Sequence, residues 1–498
     1  VRAGRLPLGE VIEYALGLLA ARGGAPAAIA LDPLTAGLLG GRFEIQQGPT
    51  LELVAERDEI PSDRRVLGRV VPCVGRDREL ATLVALFDEC AGEPTARAVL
   101  LRGPAGFGKS RLARELHARL RTRGSAFEWL YARGDPMRIG APFALAGQLI
   151  QRAAGIVEGE PATDRQAKLA RRLAEVPAAD RGRVQTFLCE LIGAPENGGD
   201  AQLSAARGDA AVMGDQIRRA WDDWLKVEAT RRPLVVVLDD LHLGDLPTVR
   251  LLDSSLRNLR DLPLLVLALA RPEVHALFPG LWADRPITEL PLPELSRKAS
   301  ARLCREVLAE RADDALVARL VDQAAGNAFY LEELCRVSAD EPGQSLPGTV
   351  LAMAQARLEA LAPEARRVLR AAAVFGDVFP DGGVAALAGN DDRLDVARLL
   401  ADLIEREVIE PRPASRFHGE REFAFRHALV REAAYAMLTD GDRTLGHRLA
   451  AEWLDAAGAR DSILLAEHWQ RGGQPERAVA GFLAAAREAL EGNDLDAV

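Results

Sequence analysis

The residues GPAGFGKS at 103–110 follow the pattern G-x-x-x-x-G-K-[ST]. Gly103, Gly106 and Gly108 allow the backbone N–H groups of such a loop to turn inward around an anion, with Pro104, Ala105 and Phe107 between them. Lys109 supplies a mobile positive charge for β- and γ-phosphates, Ser110 offers a hydroxyl to Mg2+, and Arg111 follows in the first turn of a helix whose positive dipole end faces the same place. A second group stands in LDD at 238–240. Asp239, at a strand's carboxyl end, is placed to hold Mg2+ through water. Asp240 either polarises an attacking water as general base or caps the following helix. Arg271 ends a third strand, where it either faces the crevice as a γ-phosphate sensor or is a solvated edge charge.

These groups need a sheet to hold them. RAVLLR (97–102) is a strand before the loop, and RLARELHARLRTRG after it carries Leu112, Leu116 and Leu120 on one helical face, with Gly124 as a stop. PLVVVL (233–238) reads as a strand covered on both faces, LPLLVLALARPE (262–273) as another, and SAFEWLYARGD (125–135) as a further one. Residues 136–230 read as helices interrupted by a loose glycine-rich loop at 194–209, with Trp221 and Trp224 in core packing. Residues 293–339 read as two or three helices punctuated by GNAFY, a small helical lid. Beyond 346, three helices precede strands VIEPRP (408–413) and REFAFR (421–426), the latter half-buried because Phe423 and Phe425 alternate with polar neighbours. That order suggests a winged helix. The helix before the strands mixes Arg393, Arg398 and Arg406 with Asp395, Asp402, Glu405 and Glu407, which favours packing over DNA contact. The 34 residues at 461–494 hold two amphipathic helices split by GGQPE, the plan of a tetratricopeptide repeat.

With 498 residues, 48% hydrophobic and 27% charged, the chain has the composition of a multidomain globular protein. A net charge of −10 gives no overall pull towards nucleic acid. Cys73, Cys90, Cys189, Cys304 and Cys335 form neither a metal spacing nor a disulfide framework, which suits a reducing cytoplasm and small core residues. The longest apolar runs, such as LLVLALA (264–270), fall short of a membrane span, and there is no signal-peptide pattern. The chain starts at Val1 and stops after the helical AREALEGNDLDAV, so it reads as a piece of a longer protein.

Taken together, CVGRDREL (73–80), GPAGFGKS, LDDLH, LALARPE, AAGNAFYLEEL (324–334) and FRHALVREAAY (425–435) resemble the STAND class of signal-transducing P-loop ATPases. They are similar, more narrowly, to the large bacterial regulators that join a kinase or cyclase-like module to an ATPase and a repeat array. The resemblance implies an α/β P-loop NTPase with a parallel sheet, then a helical lid, a winged-helix domain and the start of an α-solenoid. Its boundaries fall at 67–292, 293–345, 346–440 and 441–498, after a degenerate cyclase-homology-like tail at 1–66. It also implies that Gly75 and Arg76 line the adenine side, that Gly326 and Asn327 mark the lid turn over the base, and that His427 contacts the β-phosphate of ADP. Ala328 replaces the proline usual after such a turn, and no acid follows His427. The tail lacks the metal-binding aspartates of active cyclases. The implied protein is a slow cytoplasmic ATPase switch, closed with ADP and open with ATP and Mg2+. It senses a protein or small ligand through its repeats and is able to oligomerise when open. The rival readings are a DNA-binding regulator of the same architecture and a scaffold that binds ATP without hydrolysis.

Overall fold

The computed structural model describes residues 65–66, 69–137, 141–157, 160–195, 201–340, 361–389, 395–412, 415–417, 419–459 and 461–491, three strands nearer the N-terminus, and positions 355, 358 and 359. The chain divides into two units, Val1–Arg64 and Arg65–Val498. In the first unit, Ile29–Leu31, Leu51–Glu56 and Phe43–Gln47 form an antiparallel three-stranded sheet in that order. Apart from these strands and residues 65–66, the segment read as a cyclase-like tail, including LPLGEVIEYALGLLA, lies outside the described residues.

The second unit is built on five parallel strands: β1 (Ala96–Arg102), β2 (Glu128–Arg133), β3 (Leu234–Asp239), β4 (Leu264–Ala270) and β5 (Ile287–Pro291). Their order is β5-β1-β4-β3-β2. Strand side chains alternate between faces. Leu100, Val236, Leu238, Val266 and Ala268 join one apolar core, whereas Val99, Leu101, Val235, Val237 and Leu267 join the other. The second face is covered by α1 (Asp77–Gly92) and α2 (Lys109–Thr122), which bury Leu83, Leu112, Leu116 and Leu120. This two-sided burial explains why β3 and β4 are continuous β-branched and leucine runs.

The other face is covered by α3 (Ala144–Ala153), α4 (Ala162–Arg172), α5 (Ala178–Leu191), α6 (Ala201–Arg207), α7 (Ala210–Arg231) and α8 (Leu246–Asn258). The α6 helix corrects the expectation of a loose loop at 194–209: Leu203 and Ala206 give it a buried stripe against this core. Trp221 and Trp224 are fully buried, and each indole N–H finds an acceptor, Ser255 Oγ and Glu228 Oε1 respectively.

Three helices follow, α9 (Arg297–Leu308), α10 (Asp314–Ala324) and α11 (Ala328–Asp340), sharing a core with Val66, Val71 and Val74. The C-terminal region contains α12 (Pro363–Phe375), α13 (Asp381–Leu387), α14 (Val396–Glu405), α15 (Ala428–Ala436), α16 (Asp440–Ala456), α17 (Ser462–Arg471) and α18 (Pro475–Glu491). Its sheet has three strands rather than two. β8 (Glu422–Phe425) lies between β6 (Val378–Pro380) and β7 (Ile409–Pro411), antiparallel to both. That corrects the half-buried reading of β8. All four of its residues are buried, and Glu422 is kept there by an ion pair with Arg416. The helix read in TVLAMAQARLEAL falls mostly outside the described residues. No described helix is long and apolar enough to cross a membrane.

Candidate nucleotide site

At the carboxyl end of β1 the chain turns through the glycine-rich loop into α2. Gly106 and Gly108 have φ of +81° and +91°, values that L side chains adopt only with strain. Gly108 is the N-cap of α2; no side chain caps that helix and no acid stands in its first turn. Its leading N–H groups therefore remain available to an anion. Lys109 is 7% exposed and folds back along the loop, its Nζ donating to the carbonyls of Gly103 (2.7 Å) and Pro104 (3.0 Å). Burial lowers its pKa, against the opposing pull of Asp240 and Asp239.

The acids meet the loop from the tip of β3. Ser110 Oγ donates to Asp239 Oδ1 at 3.0 Å, so a hydroxyl and a carboxylate separated by 129 positions share one point. Tyr131 OH donates to the other oxygen at 2.8 Å, and the Asp240 N–H to Oδ1 at 3.0 Å. Burial, followed by the neighbouring Asp240 charge, raises the Asp239 pKa. Such an oxygen pair suits Mg2+, which takes one or two protein oxygens and completes its shell with water and phosphates. Among the described residues no group of three His, Cys, Asp or Glu forms a metal cage.

Asp240 has φ of +52° and caps nothing with its side chain; instead Arg133 Nε donates to its Oδ2 at 3.0 Å. Its carbonyl backs onto Gly134, where a Cβ would approach to 2.4 Å, so only glycine lets β2 end there. Tyr131 and Arg133 were not singled out in the sequence. They sit at i and i+2 on β2, hence on one face, and address Asp239 and Asp240 in turn. Polar residues at that spacing on a strand end were the available signal.

Arg271 follows β4, near enough for its charge to act on Lys109, and its guanidinium pairs with Glu432 of α15 at 3.2 Å. Arg133 also reaches Asp377, just after α12, at 3.4 Å, and Arg431 of α15 meets the same carboxylate at 2.9 Å. Burial opposes the Arg133 charge, but Asp240, Asp377 and Asp239 outweigh it and raise its pKa. Sequence offered no signal for Glu432 or Asp377. The C-terminal region thus touches two arginines of the sheet's crest.

The remaining candidates surround the loop. Arg76 is 5% exposed and donates to the Phe107 carbonyl at 3.1 Å, while Arg111 donates to the Val71 carbonyl. Gly75 lies against Ala299 of α9, and Gly326 against Glu294 and Leu295. Asn327, next to Gly326, bonds the loop itself, with Nδ2 donating to the Ala105 carbonyl at 3.2 Å. His427 precedes α15, and its ring rests on Phe329 with centroids 4.4 Å apart.

Residues 72–267 match the family model of the AAA ATPase domain. An uncharacterized protein of Rhizobium meliloti (strain 1021) is 28% identical over 461 residues, covering 84% of this chain and 41% of its own length. The chain therefore spans about two fifths of that relative. Among solved structures, a STAND protein with a tetratricopeptide repeat sensor from Pyrococcus horikoshii aligns over 87% of this chain and 53% of its own, at 14% identity and a TM-score of 0.46. An Aeropyrum pernix ORC1 protein, solved in complex with DNA, aligns over 74% and 93%, at 16% identity and a TM-score of 0.34. Both structural likenesses are remote. The parallel sheet with its loop-to-helix turn has the P-loop NTPase fold, and its sequence is similar to the AAA ATPase domain.

Proposed function

We propose that this chain binds ATP and ADP at residues 103–111 and hydrolyses ATP slowly as a STAND-type switch. The observation that carries the reading is the meeting of Ser110 and Asp239 at 3.0 Å, beside an uncapped helix start and a buried Lys109. In this reading Lys109 and the loop amides bind the phosphates, and Ser110 and Asp239 hold Mg2+. The ion, when bound, offsets negative charge developing on the transferred phosphoryl group. Asp240 takes the proton of the attacking water, and Arg271 neutralises the terminal phosphate.

The switch reading is supported by contacts between the crest and the C-terminal region. Arg271 pairs with Glu432, and Arg133 with Asp377. In the closed, ADP-bound form these pairs and His427 hold the two parts together, and exchange for ATP loosens them, since a ligand shifts an equilibrium only by its differential affinity for the two states. Residues 293–345 then act as a lid and 346–440 as a winged helix. The helices from 441 begin a repeat array that receives a protein or small-molecule signal in the cytoplasm, and the open form self-associates. The test is nucleotide identification in the purified protein, with ADP and ATP titration of wild type and Lys109→Ala. Wild type retains or binds adenine nucleotide and the variant loses at least a hundredfold in affinity; two proteins without affinity refute the reading.

A second reading, ATP binding without hydrolysis, draws on the Arg133–Asp240 pair, because an oxygen already held by a guanidinium is turned away from an attacking water. Equal phosphate release by wild type and Asp240→Asn favours it.

A further inference from the structure

The phosphate loop is held from outside as well as from within. Three consecutive carbonyls, those of Ala105, Gly106 and Phe107, each accept a hydrogen bond from a different donor that stands outside the loop. Asn327 Nδ2 serves Ala105 at 3.2 Å, the Phe329 N–H serves Gly106 at 3.1 Å, and Arg76 serves Phe107 at 3.1 Å. A trans peptide sets its C=O and the next residue's N–H in opposite directions. Fixing these carbonyls outward therefore fixes the N–H groups of Gly106, Phe107 and Gly108 inward, making a row of donors of the kind that binds anions. The fit leaves no slack. A Cβ on Gly106 would come within 2.7 Å of Asn327 Oδ1 and 3.1 Å of Phe329 Cβ. Asn327 itself is fixed, because its Oδ1 accepts from the Tyr330 N–H at 3.0 Å at the start of α11.

We propose that Asn327, the Phe329 N–H and Arg76 are positioning groups of the phosphate loop: they aim its amides at the phosphates while touching no part of the ligand through those bonds. The start of α11 is then part of the phosphate site, and any movement of α11 away from the loop weakens phosphate binding before it affects the base. This rests on residues 103–110 being a phosphate loop.

The test displaces a fluorescent ADP from the full chain with inorganic pyrophosphate and, separately, with adenosine. Asn327→Ser keeps a side-chain cap for α11 and adds no charge, but lacks the reach to Ala105. Arg76→Lys keeps the charge and loses the fork. Each variant is expected to weaken pyrophosphate binding about tenfold, the size of one lost hydrogen bond to an ordered site, and to weaken adenosine binding, which reports the base side that Arg76 and Asn327 also border, by clearly less. Unchanged pyrophosphate binding in both variants overturns the proposal, and so does an equal loss for pyrophosphate and adenosine, which marks general loosening. Should Asn327→Ser fail to fold, Asn327→Thr takes its place with the same readout. A wild type that binds none of the three ligands refutes the phosphate-loop reading itself, a result distinct from a variant that binds as wild type does.

Discussion

Asp239 and Asp245 stand on either side of one short turn, and both are buried, at 1% and 2% exposure. Burial raises the pKa of each. They differ in what surrounds them. Asp245 caps α8 and accepts four hydrogen bonds, from the N–H groups of Phe143, Leu145 and Thr248 and from the Thr248 hydroxyl, at 2.7–3.1 Å. Three of those donors are backbone groups that have nowhere else to turn. Asp239 accepts instead from two hydroxyls, of Ser110 and Tyr131, and from one N–H. Hydroxyls rotate and are good acceptors in their own right, so a cation can enter among them without leaving a backbone donor unpaired. One carboxylate is committed to the fold, and the other is available for chemistry.

That comparison breaks if the two acids respond alike to neutralisation. Asp245→Asn removes acceptors from buried backbone donors and is expected to cost about 3–4 kcal/mol in urea unfolding, with the loss present whether or not nucleotide is added. A buried histidine pair extends the contrast to the C-terminal region. His447 bonds Tyr435 OH at 2.8 Å through Nε2 and His468 Nδ1 at 3.0 Å through Nδ1, with Arg471 nearby. Burial, followed by the Arg471 charge, pushes His447 down to about 4, and burial pushes His468 down as well. A histidine with a lowered folded-state pKa binds fewer protons than in the unfolded chain. The contribution of these histidines to stability is therefore full above about pH 6.5 and falls as pH drops towards 4. His447 alone accounts for about 3 kcal/mol of that loss. Urea midpoints measured from pH 7 to pH 4 check this, and His447→Gln should flatten the slope.

A smaller effect sharpens the link between the two regions. Asp377→Asn leaves Arg133 and Arg431 facing an uncharged amide and is expected to cost about 1–2 kcal/mol. It should also raise protease cleavage between the crest and the C-terminal region. The smallest effect carries the opposite sign. Asp239→Asn relieves a buried charge and should stabilise the nucleotide-free protein by about 1 kcal/mol, while abolishing the Mg2+ dependence of ATP binding in titrations with and without EDTA. If Asp239→Asn destabilises as Asp245→Asn does, Asp239 is structural as well.

Much of the crest could be read in advance because it is local. GPAGFGKS needs only its neighbours to make a turn, and β3 and β4 announce two-sided burial by their composition. The C-terminal sheet was less legible. Phe423 and Phe425 alternate with Glu422 and Ala424, the pattern of a half-buried strand, yet β8 is central and fully buried because Val378–Pro380 pairs with it from 42 to 46 positions upstream. Glu422 looked like a solvent-facing residue only because its partner Arg416 was invisible as a partner.

The sequence by itself determined the glycine turn, the lysine and hydroxyl that follow it, and the strand whose tip carries two acids. Each depends on backbone preference or on the alternation of apolar residues over a few positions. The tertiary structure alone decided which partners those groups meet: Tyr131 and Arg133 on the two acids, Asn327 and Arg76 on the loop's carbonyls, Glu432 and Asp377 on the arginines. Such pairings join polar groups of unremarkable type across 31 to 244 positions, and nothing in local spacing encodes them. They follow from strand order and helix packing, which bring distant polar groups into places where burial makes an unpaired one costly.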